Sequence, residues 1–545
     1  MRLVVATLAA LALAGQGTAR AQTINGTDGP DRLSGTGSAD AIYGRAGDDA
    51  LRGVGGNDLL VGGDGRDVLA GGDGTDRLAV QTDGAVDSVS CGAGRDLVNA
   101  ELADVVAADC EVVARQLSRD PYRTEDGQHE TQVEPDSFSV GRTVVVAFQS
   151  GRFAGGGAAN IGWATSRDAG RTWRSGFLPG LTLFSTPAGV MDIASDPAVA
   201  YDAFHGTWLI ATLGRTPDAF ELSVSRSPDG LRWSGPALVE RDTTSGLDKE
   251  WIVCDNWRTS RFRGHCYVSY LDSNTDQIVT KTSIDGGLTW TGPTASPATP
   301  EEAIVNGAQP IVRPDGTLVV VYSVFAGELV LSDQIAAIRS TDGGATFGTP
   351  TRVSGLFYED PGGLRAPPLA SVDVDRAGRI YVAWSDCRFR SDCVPNDIVY
   401  ATSDDGLTWS ETKRVPIEGR TRDIDHFVPG IAVEPSTSGA RARIAVAYHS
   451  VPHTCNFAFH CGSGVGVGVI ASPDGGRTWE RAERLNAVSM DILWMPNTSL
   501  GRMLADYISV SWAGGRPIPV FALASEPPGE GEFRQAIFAA VVPKR

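Results

Sequence analysis

The sequence predicts an all-β protein in two unequal parts, on three observations. From Gly26 to Ala79 it keeps a nine-residue rhythm of glycine, aspartate and a large aliphatic residue. An octapeptide recurs six times, clearest as Ser166-Arg-Asp168-Ala-Gly170-Arg-Thr172-Trp173 and Ser283-Ile-Asp285-Gly-Gly287-Leu-Thr289-Trp290. Between its copies lie runs such as Thr143-Val-Val-Val-Ala-Phe148 and Ile380-Tyr-Val-Ala-Trp384, whose β-branched and aromatic residues suit a sheet buried on both faces. At 545 residues the chain is too long for one ordinary core. Its formal net charge of −19 argues against a nucleic-acid partner, because phosphate binding needs a basic surface.

Residues 1–21 read as a secretory signal: Arg2 is the positive start, Leu3 to Ala14 the apolar run, and Ala19-Arg-Ala21 the small-residue cleavage site. That run is too short to span a bilayer and no later stretch is long enough, so the expected mature protein is secreted, extracellular and without a membrane span. Eight cysteines then read as four near-neighbour disulfides: Cys91 with Cys110, Cys254 with Cys266, Cys387 with Cys393, and Cys455 with Cys461. The last pair lies in a His-rich tract (His449, His453, His460) whose spacing matches no standard zinc module; a metal site is the alternative there.

In the leader part the nonapeptide is G-G-x-G-x-D-x-U-x, with U aliphatic. Its aspartates fall at Asp31, Asp40, Asp49, Asp58, Asp67 and Asp76, its aliphatics at Leu33, Ile42, Leu51, Leu60, Leu69 and Leu78. This resembles the haemolysin-type (RTX) calcium repeat, and the resemblance implies a parallel β-roll over residues 24–113. Glycines allow a tight turn with inward carbonyls, and the aspartate adds a hard anionic oxygen suited to Ca²⁺. Without metal the stacked carboxylates would repel, so calcium binding and folding should be coupled. After Leu78 the rhythm decays into a capping turn around Cys91 and Cys110, which a solenoid end needs to cover its core. Residues 114–126 look like a linker.

Over residues 127–545, the octapeptides end in aromatics at 173, 233, 290, 347, 409 and 479. A repeat of that length with β-rich sequence between copies means one four-stranded sheet per repeat. One copy, Ser227 to Trp233, has lost a residue. Strands after the sixth copy (Tyr507 to Trp512, Ile518 to Phe521, Ala536 to Val541), with one from near residue 127, would close a seventh sheet; six remain possible if the tail completes the ring differently. The octapeptide resembles the Asp box (BNR repeat) of sialidase-like proteins, which implies a β-propeller of seven or six blades.

On one face of such a ring the sequence would gather Glu130, Asp196, Glu250, Gln309, Arg365, Asp425, His426, Asp506 and Tyr507, with Arg152, Arg215 and Arg388 on nearby loops. Sialidase chemistry, as the resemblance implies it, would use Arg152, Arg365 and Arg388 as a carboxylate clamp, Tyr507 as nucleophile, Glu250 as its base and Asp196 as proton carrier. The Arg-Ile-Pro sequence of sialidases is absent; the matching stretch reads Glu130-Thr-Gln-Val-Glu-Pro135. Three functions follow. The first is a secreted, calcium-binding protein whose propeller binds an extracellular glycan or glycoprotein. The second is an exo-acting glycoside hydrolase of the sialidase type. The third is a structural protein whose polar groups merely solvate a central channel.

Overall fold

A computed structural model describes residues 20–80, 83–244, 246–298, 303–325, 333–453, 464–529 and 531–543. Residues 1–19 of the expected signal fall outside the described residues. So do both Cys455 and Cys461, and with them the fourth expected disulfide. Two units separate: the chain up to Asp96 together with Asp104–Cys110, and Leu97–Ala103 together with the chain from Glu111 onward.

The first unit is a parallel β-solenoid. Its coil is two nonapeptides long, so alternate repeats enter opposite sheets. Strands Thr23–Asn25, Ala41–Ala46, Leu59–Asp64 and Arg77–Ala79 stack in one sheet. Strands Arg32–Ser34, Ala50–Gly55, Val68–Gly74, Ser88–Gly94 and Val105–Val106 stack in the other. Register places Ile24, Ile42, Leu60 and Leu78 in one column and Leu33, Leu51, Leu69 and Val89 in the second. Ile42, Leu51, Leu60, Leu69 and Leu78 are fully buried. Each such side chain contributes about 1.5–3 kcal/mol when taken out of water, which is why the aliphatic slot cannot drift.

In the second unit, antiparallel strands follow one another in fours. The first set is Gly127–Val140, Thr143–Phe153, Ala158–Ser166 and Arg174–Phe177. Five more sets occupy 193–242, 247–295, 304–355, 371–414 and 424–484. The last set joins Ser509–Ala513, Arg516–Ala524 and Gln535–Val541 to Val112–Gln116. The closing strand therefore comes from 112–116, inside the stretch read as cap and linker, and not from near residue 127. Residues 127–140 instead open the first set, where Thr131 also bridges Gln535.

First strands of successive sets pack side by side, and the last of them, Ser509–Ala513, packs against the first, Gly127–Val140. Side chains stitch this cycle to neighbouring backbones. Val199 N donates to Asp136 (2.7 Å), Val372 N to Gln309 (3.0 Å), Val433 N to Asp373 (2.7 Å) and Ser137 N to Ser509 (3.0 Å). The apolar cores lie between neighbouring sheets, as where Val145, Ile161 and Trp163 meet Val199, Trp208 and Ile210.

The octapeptides form the turns between third and fourth strands. In the copy at 283–290 the Asp285 carboxylate accepts from Leu288 N (3.0 Å), Thr289 N (3.0 Å) and Thr289 Oγ1 (2.6 Å), while Gly287 N donates to Ser283 Oγ (2.9 Å). Gly287, at φ +81, lies so close to Leu209 of the preceding sheet that a side chain there would press on it. Gly170 meets Val541 and Ile518 in the same way, which seats the first turn on the last sheet. Two copies are one residue short: besides Ser227–Trp233, the copy ending at Trp409 pairs Ser403 with Asp405, and Gly406 N bonds Ser403 Oγ (2.8 Å). Among the described residues no helix is long and apolar enough to cross a membrane.

Candidate functional site

Two groups of side chains stand out. In the solenoid, each of the repeat aspartates Asp40, Asp49, Asp58, Asp67 and Asp76 uses one oxygen to accept the backbone N–H of the residue 18 positions earlier, as from Asp49 N to Asp67 Oδ1 (2.9 Å) and from Asp58 N to Asp76 Oδ1 (2.8 Å). The other oxygen of Asp49, Asp58, Asp67 and Asp76 is buried without a partner. Asp49 Oδ2 and the Gly62 carbonyl crowd the space a side chain on Gly44 would fill; Asp58 Oδ2 and the Gly71 carbonyl do so over Gly53.

In the second unit, Lys249 Nζ gathers Asp196 (2.6 Å), Asp506 (2.7 Å) and Glu134 (3.1 Å), and Arg365 Nε donates to Asp506 Oδ1 (2.7 Å). These residues come from the first strands of separate sheets and from the approaches to the fifth and the last. A bulge recurs in those first strands, and at it Glu134 (φ 53), Asp196 (φ 47) and Lys249 (φ 49) take left-handed conformations, with Gly307 and Val428 at the matching places. Each non-glycine residue so placed costs about 1–3 kcal/mol. At Glu134, Asp196 and Lys249 the bulge re-aims the side chain towards a common centre.

Two cations thus face three carboxylates. Burial alone would lower the Lys249 ammonium, but Asp196, Asp506 and Glu134 outweigh it and hold it well above its ordinary range. Asp506 is held well below the carboxylate range: Lys249 and Arg365 overcome its burial. Glu134 is pushed up to about 8 by burial, against the pull of Lys249. Beside this group a cavity of about 20 Å³ is lined by Glu250, Trp251, Gln309 and Tyr507, among others. That is room for one water-sized group. Both Glu250 carboxyl oxygens are buried without a hydrogen bond, and burial, then Asp196, pushes the group well above its ordinary range. The Tyr507 hydroxyl donates to Pro197 O (3.4 Å), its ring packs edge-on against Trp251, and burial drives it well above a normal phenol.

Residues 16–51 and 52–79 match the haemolysin-type family described as RTX calcium-binding nonapeptide repeat (4 copies). The leader unit carries RTX calcium-binding repeats. No curated protein matches the chain. Among solved structures, a protein of unknown function from Dyadobacter fermentans is 19% identical, over 62% of this chain and 94% of that one, with a TM-score of 0.39. A polysaccharide lyase, an ulvan lyase, is 12% identical over 77% of this chain and 95% of that one (TM-score 0.43). The NanB sialidase from Streptococcus pneumoniae is 12% identical over 78% and 70% (TM-score 0.38). TM-scores this low give the likenesses no weight on substrate or chemistry.

The RTX geometry fits Ca²⁺: an orphaned anionic oxygen and an inward carbonyl in each coil suit a hard cation that takes 6–8 oxygen ligands. Burial, with the adjoining coil's aspartate adding to it, pushes Asp67 and Asp76 up to about 6, a repulsion that a divalent ion would offset. The first two copies differ. Asp31 Oδ2 and Asp40 Oδ2 accept from the backbone and hydroxyl of Thr27 and Thr36, which stand in the repeat's second glycine slot.

In the second unit, Asp196, Glu250, Arg365, Asp506 and Tyr507 come together. Arg152 is buried nearby, with Nη1 on Gln128 (3.0 Å) and Phe153 O (2.9 Å), and it feels the charges of Glu134, Arg365 and Asp506. Arg388 does not join them. Its guanidinium is held by Asp386 (2.7 Å) and Thr412 (3.1 Å) and lies over Phe357. Asp425 and His426 belong to a separate buried group: Asp425 bonds His453 (2.8 Å), and His426 faces Glu418 near Arg390, Asp397 and Arg414. Glu130 pairs with Arg123 at the surface. No motif in the sequence points to Lys249 or Glu134. The available signals are Lys249's place among only four lysines, and the Glu134-Pro135 and Asp196-Pro197 steps inside strands. Cystines join Cys91 to Cys110, Cys254 to Cys266 and Cys387 to Cys393. The remaining expected pair, Cys455 and Cys461, lies outside the described residues, as does the neighbouring His460 of the alternative metal site.

Proposed function

We propose that this is a secreted protein in which calcium-loaded RTX repeats precede a seven-bladed Asp-box propeller, and that the propeller binds an extracellular glycan at the Lys249 centre. The observation that carries the reading is Glu250: a carboxyl group with two unpartnered oxygens, pushed by burial well above its ordinary range, beside Tyr507 and a cavity of about 20 Å³. A fixed carboxyl group in a water-sized recess is suited to one hydroxyl of a larger ligand, not to a whole sugar ring. The arginines support a neutral ligand group over a carboxylate, since Arg365 is committed to Asp506 and Arg388 to Asp386. Export is supported by the three cystines and by the leader's composition. The test is a glycan array probed with the full chain in millimolar Ca²⁺. A bound glycan whose affinity falls at least about tenfold in Glu250→Ala supports the reading; a silent array, or unchanged affinity in that variant, removes it.

The presence of Glu250 and Tyr507 in the lining of one cavity favours a second reading, an exo-acting glycoside hydrolase of the sialidase type. Turnover of fluorogenic glycosides that disappears in Tyr507→Phe would establish it, and no turnover on a broad panel would exclude it.

A further inference from the structure

Beyond the regular nonapeptides the aspartate ladder continues with a longer step. Asp67 N donates to Asp87 Oδ1 (2.7 Å) and Asp76 N to Asp96 Oδ1 (2.8 Å), each across 20 residues instead of 18. The coil after Asp76 holds no matched repeat, and Cys91 stands where each earlier coil has a glycine: Gly72 is in register with Gly92, and Leu69 with Val89. The consequence appears over Gly71. A side chain placed there would meet Asp76 Oδ2 at 2.5 Å and the Cys91 carbonyl oxygen at 2.6 Å. Over Gly44 and Gly53 the same space is flanked by an aspartate and the carbonyl of Gly62 or Gly71. Asp76 Oδ2 is fully buried and has no hydrogen-bond partner.

We propose that the cap turn builds a further Ca²⁺ site, outside the regular repeats, in which the Cys91 carbonyl does the work of the glycine carbonyl and the Cys91–Cys110 cystine is its positioning element. The proposal rests on the calcium reading of the repeats. Two features hold that carbonyl in place. The cystine ties Cys91 to Cys110, and the Asp109 carboxylate accepts from Gly92 N (3.0 Å), fixing the peptide that carries the oxygen. A hard cation can take the buried Asp76 oxygen and this carbonyl together, as it would an aspartate and a glycine carbonyl one coil earlier.

The experiment counts Ca²⁺ bound by the full chain, by calorimetry and by terbium luminescence, in the wild type, in Cys91→Ser/Cys110→Ser and in Gly71→Ala. Gly71 does not need a left-handed backbone, so alanine there acts only by pressing on Asp76 Oδ2 and the Cys91 carbonyl, the two oxygens of the site, while both cysteines stay in place. Loss of one and the same equivalent, or at least about a tenfold weakening of it, in both variants supports the proposal. A full complement at wild-type affinity in either variant overturns it. If the cystine-free protein loses all its calcium through collapse of the solenoid, Gly71→Ala decides: one equivalent lost supports the site, none lost refutes it. Failure here leaves calcium binding by the regular coils intact, and that is read from the remaining equivalents.

Discussion

At the scale of single residues, backbone conformations that side chains resist mark both functional regions. Val54 stands in the second glycine slot of its nonapeptide at φ +84, where Gly63 and Gly72 occupy the same slot at φ +113 and +115. A β-branched residue there costs about 1–3 kcal/mol, and its side chain is 53% exposed, so little packing offsets that cost. Val54→Gly should therefore stabilise the calcium-loaded solenoid by about 1 kcal/mol, after about 0.5–1 kcal/mol is returned to the freer unfolded chain. Denaturant unfolding followed by β-sheet circular dichroism would show it; a lower midpoint would mean that Val54 packs against something that matters more than its strain. The same left-handed conformation at Glu134, Asp196 and Lys249 is not legible in the sequence. A bulge is set by register between two strands, and no local pattern announces it. The aspartate and leucine columns are legible, because a coil of fixed length makes contact order follow sequence spacing.

At the scale of elements, the six octapeptides and the β-rich runs between them reveal the sheets, since each turn closes its hydrogen bonds within eight residues. The strand Val112–Gln116 is hidden, because its partner Gln535–Val541 lies at the other end of the chain. The stitches between first strands are hidden for the same reason, and one of them has a consequence in pH. Asp136 is pushed up to about 7 by burial, even though Val199 N, Ser137 and Ser509 donate to it. A carboxyl whose folded value is raised contributes its stability below the ordinary range near 4 and loses it as pH rises to about 7. An asparagine in its place would be neutral throughout and would keep an acceptor for Val199. Asp136→Asn should thus gain on the wild type between about pH 4 and about pH 7 and hold a constant lead above that window, with both proteins measured by denaturant unfolding. A gap that stays flat across that range would show that Asp136 is not the titrating group; comparing two variants cancels the buried His426 and His449, which titrate in both.

At the scale of the whole molecule, two stabilising principles operate in one chain, and they should respond differently to calcium. The second unit draws on apolar cores between sheets, on cystines at 254–266 and 387–393 and on the closure of its last set of strands by Val112–Gln116. None of these involves a metal. The solenoid has one thin column of aliphatic residues per sheet, and down its turns run carboxylates that burial and mutual repulsion push towards neutrality. Withdrawing Ca²⁺ leaves those charges uncompensated in the folded state but separated in the unfolded one, so the metal's binding energy is largely folding energy for this unit. Hydrogen exchange on the intact protein separates the two cases peptide by peptide. With EGTA, amides of Ala41–Ala46, Ala50–Gly55, Leu59–Asp64 and Val68–Gly74 should lose protection by about a hundredfold or more, while those of Thr143–Phe153 and Leu318–Phe325 change by less than about threefold. Sulfate or raised ionic strength should not restore the solenoid, because screening weakens repulsion between coils without supplying a ligand to the orphaned aspartate oxygens. Full protection of the solenoid strands in EGTA would mean that the aliphatic columns alone hold the coils together, and the buried carboxylates would then have to be carried as neutral acids.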